Sequence, residues 1–230
     1  MDRHIQTLLN RLSFISITLA TLTLIFHLYQ IPQSCNPPQI RPKSTLPRSS
    51  CDASHRQFLS IDHKNKRIWS TNDWAKKVRS FTHFFNGVSD LGLLSNNSKA
   101  LCVSAGAGHE VAALRDMGLA DVTGVELVES PPLVSRADPH NLPFFDGVFD
   151  FVFTAHFAEA LFPSRFAAEM ERVVRVGGAC VVVVEECGGE GVEGVKGSFG
   201  RSGFVDVRNV SLIGLKMTRI IMRNDGSQTA

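Results

Sequence analysis

Ala100-Leu101-Cys102-Val103-Ser104-Ala105-Gly106-Ala107-Gly108-His109-Glu110-Val111-Ala112-Ala113-Leu114 is the stretch on which the reading of this chain turns. Its first four residues form a short apolar run suited to a strand buried on both faces, and His109 to Leu114 reads as the first turns of a helix. Between them lies a turn of small residues. Gly106 and Gly108 lack a Cβ, so they permit positive φ and let a ligand touch the backbone, while unpaired N–H groups of the helix start point at it. Such a turn seats an anionic or nucleotide-like group. Small-residue turns also occur as plain structural punctuation, so the turn alone leaves both readings open.

The chain that follows favours the first. Gly118 ends the helix, and Asp121-Val122-Thr123-Gly124-Val125-Glu126-Leu127 is a β-rich run whose acid falls 18 residues after Gly108. In a strand-helix-strand unit that spacing puts Glu126 at the carboxyl end of the neighbouring strand, where its carboxylate can accept both hydrogens of a ribose diol. Asp138 and Asn141 then follow a third short strand, placing a carboxylate where an adenine amine can donate to it. Asp146 to Phe153 reads as a turn and a nearly wholly apolar fourth strand, with Asp150 inside it as structural support. A helix ending at Arg175, a double-glycine stop at Gly177-Gly178 and a buried run from Ala179 to Val184 continue the βαβ cadence.

This ordered set resembles the class I S-adenosylmethionine-dependent methyltransferases, and within them the methyltransferase type 11 group in membrane-anchored plant versions. The resemblance covers about Trp69 to Arg223. It implies an α/β fold: a Rossmann-like, seven-stranded, mostly parallel sheet with helices on both faces and S-adenosyl-L-methionine across the carboxyl ends of the first strands. Gly106 and Gly108 would contact the methionine part of the cofactor, Glu126 the ribose and Asp138 the adenine, with His140 beside the base. Ser104, Ala105, Leu127, Pro139 and Thr154 complete the cofactor-binding set, and His156, two residues beyond Thr154, is the candidate general base. Methyl transfer of this kind gains rate by positioning two reactants. The chain departs from the family pattern where Cys102 replaces an acid and Ser104 a glycine. Glu110 either stands in for that acid or is a helix-start glutamate favoured by the dipole.

Upstream, Leu12 to Ile31 lacks Asp, Glu, Lys and Arg, which fits an uncleaved signal anchor spanning the membrane, with a cleaved signal peptide as its rival. The expected organisation is therefore an anchor over 1–31, a flexible Pro/Ser/basic stem over 32–68 and the methyltransferase domain over 69–226. A single-pass endomembrane or Golgi location and a monomeric state go with it. Trp74, Val78, Phe81, Phe84, Phe85 and Val88 recur at helical spacing, predicting an amphipathic helix over Asn72 to Phe85 broken by Asn86-Gly87. Seven glycines between Glu185 and Gly203 predict a mobile loop, and Gly203 to Val207 and Leu215 to Met222 an antiparallel end pair.

Composition narrows the partners. With 24 Lys and Arg against 22 Asp and Glu, the net charge of +2 gives no electrostatic case for nucleic acid. The five cysteines have no Cys-x-x-Cys spacing, so no metal site is expected. Cys102 and Cys180 read as small buried hydrophobes, and Cys35 and Cys51 can pair only in an oxidising lumen. The acceptor is expected to be a small molecule or a glycan. Two other functions fit less of the pattern. One is a noncatalytic cofactor-binding or scaffold protein, motivated by Cys102 and Ser104. The other is a nicotinamide-dependent oxidoreductase, disfavoured by Val111 where its fingerprint needs a third glycine.

Overall fold

The computed structural model describes residues 3–30 and 61–226. The chain divides into two compact units, Met1–Arg56 and Gln57–Ala230. In the first, helix α1 runs over Arg3–Gln30. The helix expected there forms, and hydroxyls of Thr18, Thr21 and Thr23 donate back to carbonyls three or four residues earlier. Among the described residues, however, no helix is long and apolar enough to cross a membrane. The expected spanning anchor is therefore not found among them. Cys35, Cys51 and most of the expected stem lie outside the described residues.

The second unit is a single seven-stranded sheet with helices on both faces. Along the chain, α2 (Ile61–Trp69) and α3 (Asn72–Ser89) precede β1 (Ala100–Val103), α4 (His109–Asp116), β2 (Val122–Glu126) and β3 (Val134–Arg136). Next come β4 (Phe149–Thr154), a single 3₁₀ turn at Phe157–Glu159, α5 (Pro163–Val173) and β5 (Val174–Glu185). The chain closes with α6 (Gly189–Lys196), β6 (Ser202–Leu212) and β7 (Leu215–Asn224). The strand order is β3-β2-β1-β4-β5-β7-β6. The first five strands run parallel, and β7 lies antiparallel to both β5 and β6. The mostly parallel sheet and its antiparallel end pair are as expected.

Strand alternation divides the core in two. Cys102, Phe151, Phe153, Val181 and Ile221 face α3 and α4, while Leu101, Val103, Val152, Cys180, Val182 and Ile220 face α5. Phe85 of α3 is wholly buried and packs against Phe81, Phe84, Phe151 and Phe153. Burying one such ring contributes about 2–3 kcal/mol. That explains why α3 runs through Asn86-Gly87 to Ser89 instead of breaking there: the glycine costs about 1 kcal/mol, and Val88 beyond it is fully buried.

Three further expectations are corrected. The helix ends at Val173, not Arg175, and β5 already starts at Val174, so Gly177-Gly178 lies inside the strand's span. A Cβ on Gly178 would come 2.7 Å from the Asp150 carbonyl oxygen, so this glycine permits a close strand approach. The glycine-rich segment after β5 holds the short helix α6 in place of an unbroken loop. Finally, the end of the expected stem is ordered as α2, whose Asn65 is buried and donates to the Pro131 carbonyl at 2.8 Å.

Candidate active site

The turn after β1 is shaped by backbone conformation. Ser104, Gly106 and Gly108 take φ of 56°, 50° and 93°, and the Gly108 N–H closes the turn on the Ala105 carbonyl at 2.8 Å. The two glycines have different surroundings. A Cβ on Gly106 would meet nothing within 4 Å, whereas one on Gly108 would lie 2.8 Å from Leu133 Cβ. Gly108 thus lets the turn pack on the start of β3, and Gly106 leaves open space where a ligand can touch the backbone.

Parallel pairing of β1 with β2 brings Glu126 to that opening. One carboxylate oxygen accepts from the Gly106 N–H at 3.1 Å and the other from the Leu127 N–H at 2.8 Å. Two fixed N–H donors hold the carboxylate at the carboxyl edge of the sheet. The Glu126 carbonyl accepts from the Ala137 N–H at 2.9 Å, and Asp138 follows two residues beyond the end of the β2–β3 ladder. Only Leu127 to Leu133 join these two parallel strands, fewer than the dozen or so residues a crossover usually takes.

Asp138 accepts from the His140 backbone N–H at 2.8 Å, and its carboxyl titrates below the ordinary carboxylate range, first because of that bond. The His140 ring lies edge-on to Phe162 and Phe166, its Nδ1 3.3 Å from Asp138. It is thus held by packing as well as by the acid. On β4, neighbour of β1 on the other side, Thr154 is buried and its Oγ1 accepts from the His156 N–H at 3.2 Å. His156 Nδ1 lies 3.1 Å from a Glu159 carboxylate oxygen. Sequence reasoning missed Glu159, although its position three residues after His156 is the signal that would have marked it.

The structure therefore joins Gly106, Glu126 and Leu127 by direct bonds, and sets Asp138, Pro139 and His140 after β3 and Thr154 and His156 at the end of β4. Asp150 takes no part. At the opposite end of β4 it accepts from the Lys99 N–H and pairs with Arg175 beside a cavity of about 160 Å³. An open surface depression is lined by the exposed residues Leu161 to Arg165 beyond the 3₁₀ turn.

Two groups beside the glycine turn have unusual titration. His109, half-buried with its ring 4.2 Å from that of Trp74, is lowered to about 4 by burial and then by Lys77. Glu110 is 3% exposed, and its Oε2 has no hydrogen-bond partner. Burial raises it to about 8, with Glu126 adding repulsion and its own backbone N–H opposing. Cys102, beneath the turn, is raised by burial and by Glu110.

Residues 101–182 match the family described as the methyltransferase domain. A search of curated proteins found no match. Among solved structures, an S-adenosylmethionine-dependent methyltransferase from Aquifex aeolicus is similar at 17% identity, covering 70% of this chain and 97% of its own, with a TM-score of 0.53. The Burkholderia thailandensis 1,6-didemethyltoxoflavin-N1-methyltransferase, solved with 1,6-didemethyltoxoflavin and S-adenosylhomocysteine, is similar at 18% identity with a TM-score of 0.52. That match covers 82% of this chain and 99% of the other. A chain of the Haloferax volcanii complex containing the Trm112 methyltransferase activator gives 13% identity, 73% and 99% coverage and a TM-score of 0.55. At these identities the likeness is one of fold, and it does not reach a membrane-anchored plant subgroup. The residues fit S-adenosylmethionine: Gly106 leaves the room a side chain would fill, Glu126 offers a fixed acceptor, and Glu110 holds a buried carboxyl oxygen without a partner. The second unit accordingly has the fold of S-adenosylmethionine-dependent methyltransferases, and its residues 101–182 match the methyltransferase domain.

Proposed function

We propose that this chain transfers a methyl group to a small-molecule acceptor bound beyond the carboxyl end of β4. The observation that carries the reading is the 3.1 Å bond between the Gly106 N–H and the Glu126 carboxylate, made at a turn whose Cβ position is open. A ribose diol donates to that carboxylate, an adenine amine donates to Asp138, and the glycine backbone lines the methionine part. The bound cofactor supplies an electrophilic methyl group. Glu159 accepts the Nδ1–H of His156, which leaves Nε2 as the acceptor of the substrate's proton. The exposed Leu161 and Phe162 beside Arg165 support an acceptor with an apolar body and a polar or anionic group.

A binding-only domain is the second reading, favoured by the buried Cys102 where the family has an acid. Isothermal titration of the full chain with S-adenosylmethionine and S-adenosylhomocysteine tests the first step. Methyl-labelled cofactor with a small-molecule library, read by mass spectrometry as S-adenosylhomocysteine formation, tests the second. Micromolar binding with turnover that falls at least about tenfold in His156→Ala supports the enzyme. No binding at millimolar ligand removes both readings, and binding with no turnover on any acceptor favours the second.

A further inference from the structure

Glu110 is the one buried carboxyl beside the turn for which the fold supplies no counter-group among the described residues. It lies two residues after Gly108 on the buried face of α4, with Val111, Ala113 and Leu114. The groups facing it are acids or neutral. Cys102 on β1 and Glu126 on β2 are the groups coupled to it electrostatically. From α3, Lys77 and Asp73 act on the neighbouring His109. One carboxyl oxygen is buried with no hydrogen-bond partner. An ionised carboxylate in that position is unstable unless a positive charge arrives, and a neutral one leaves a polar atom unsatisfied. An arriving cation would satisfy that oxygen in its ionised form.

We propose that Glu110 is the acid that receives the positive charge of the bound cofactor, in place of the strand acid that Cys102 displaces, and that it releases its proton when that charge arrives. The inference rests on the cofactor reading above and extends it to one residue and one proton. The step balances simply: neutral carboxyl plus ligand cation gives the carboxylate–cation pair plus one proton to solvent. S-Adenosylmethionine carries two cationic centres, a sulfonium and an ammonium. S-Adenosylhomocysteine keeps only the ammonium, and 5′-methylthioadenosine has neither.

The carboxyl holds its proton up to about pH 8, so binding that requires ionisation weakens as pH falls. The expected apparent Kd is about fifty-fold tighter at about pH 8 than at about pH 6, and about one proton is released at the lower pH. The experiment is isothermal titration of the full chain with each of the three nucleosides, at both pH values and in two buffers of different ionisation enthalpy. Proton release with S-adenosylmethionine and not with 5′-methylthioadenosine supports the proposal. Release with S-adenosylhomocysteine assigns the ammonium, and its absence there assigns the sulfonium. Glu110→Gln, nearly isosteric, is expected to abolish both the proton and the pH slope. The wild-type buffer comparison stands even if that variant does not fold. Equal pH slopes for all three nucleosides, or an unchanged slope in Glu110→Gln, overturn the proposal while leaving the cofactor reading intact. Failure of all three to bind overturns the cofactor reading itself.

Discussion

Replacing Gly106 with alanine separates a ligand cradle from an ordinary tight turn. The residue has φ of 50°, and a Cβ built there meets no atom within 4 Å. The cost to the fold is therefore confined to left-handed backbone, about 1–2 kcal/mol, which lowers Tm by a few degrees in a domain of this size. Gly108→Ala is the control. It carries the same backbone penalty at φ of 93°, and its Cβ would stand 2.8 Å from Leu133 Cβ and 3.0 Å from Val134 Cγ2. Overpacking adds about 1–3 kcal/mol, so this variant loses about 2–5 kcal/mol in all. The ligand sees the reverse ranking. The Gly106 methyl occupies space that the proposed cofactor needs, and losing about 1.5–3 kcal/mol of contact there weakens binding about ten- to a hundred-fold. Thermal melts with and without S-adenosylhomocysteine read both quantities, because the ligand-induced shift follows free ligand over Kd. If Gly106→Ala keeps the full ligand-induced shift while its ligand-free Tm falls as far as that of Gly108→Ala, the turn is structural and the reasoning fails.

Two further perturbations test other parts of the site. Glu126→Gln keeps one amide oxygen to accept from Gly106 or Leu127 but loses the charge, so affinity for S-adenosylhomocysteine should fall about ten- to a hundred-fold while unfolding free energy changes by less than about 1 kcal/mol; a titration with unchanged Kd removes Glu126 from the ribose. Arg172 donates to Glu169, Asp146 and the carbonyls of Phe144 and Leu142, pinning the loop after Asn141 onto α5. Arg172→Met should cost about 2–4 kcal/mol in urea unfolding. Glu169 is held below its ordinary range first by the Arg172 bond, so the pair's stability is present above that range and lost as pH falls through the lowered value. The acid limb of the stability profile should therefore flatten in Arg172→Met, and an unchanged limb rejects the pair as its source.

Much of this was legible because each signal was local. Four apolar residues before a glycine turn, an acid 18 residues on, and a valine run after a helix are patterns that the strand and helix periods impose directly. The seven-stranded, mostly parallel sheet followed from the resemblance those motifs carry. Two of the misreadings share one cause: tertiary packing overrode a residue's local preference. Asn86-Gly87 did not stop α3 because Val88 is buried beyond it, and Gly177-Gly178 lies within a strand because Gly178 allows β4 to come close. Glu110 had two equal readings in sequence, since a helix-start glutamate looks the same whether it points to water or into the core. Only the fold shows it 3% exposed with one oxygen unpaired.

That difference bears on how the altered glycine motif works. Cys102 is fully buried on the sheet face that packs against α3 and α4, and Glu110 of α4 is coupled to it electrostatically. Moving an acid from the strand to the helix keeps a carboxyl beside the turn but attaches it to a different element, with its own backbone N–H as its one local donor. Glu126 is satisfied by two fixed donors, the N–H groups of Gly106 and Leu127. A carboxyl without them stays neutral until a cation is present. On this reasoning the two acids at the turn divide their work: Glu126 is a standing acceptor for hydroxyl groups, and Glu110 responds to charge. The departure at Cys102 then changes the pH dependence of ligand capture without removing the means of capture.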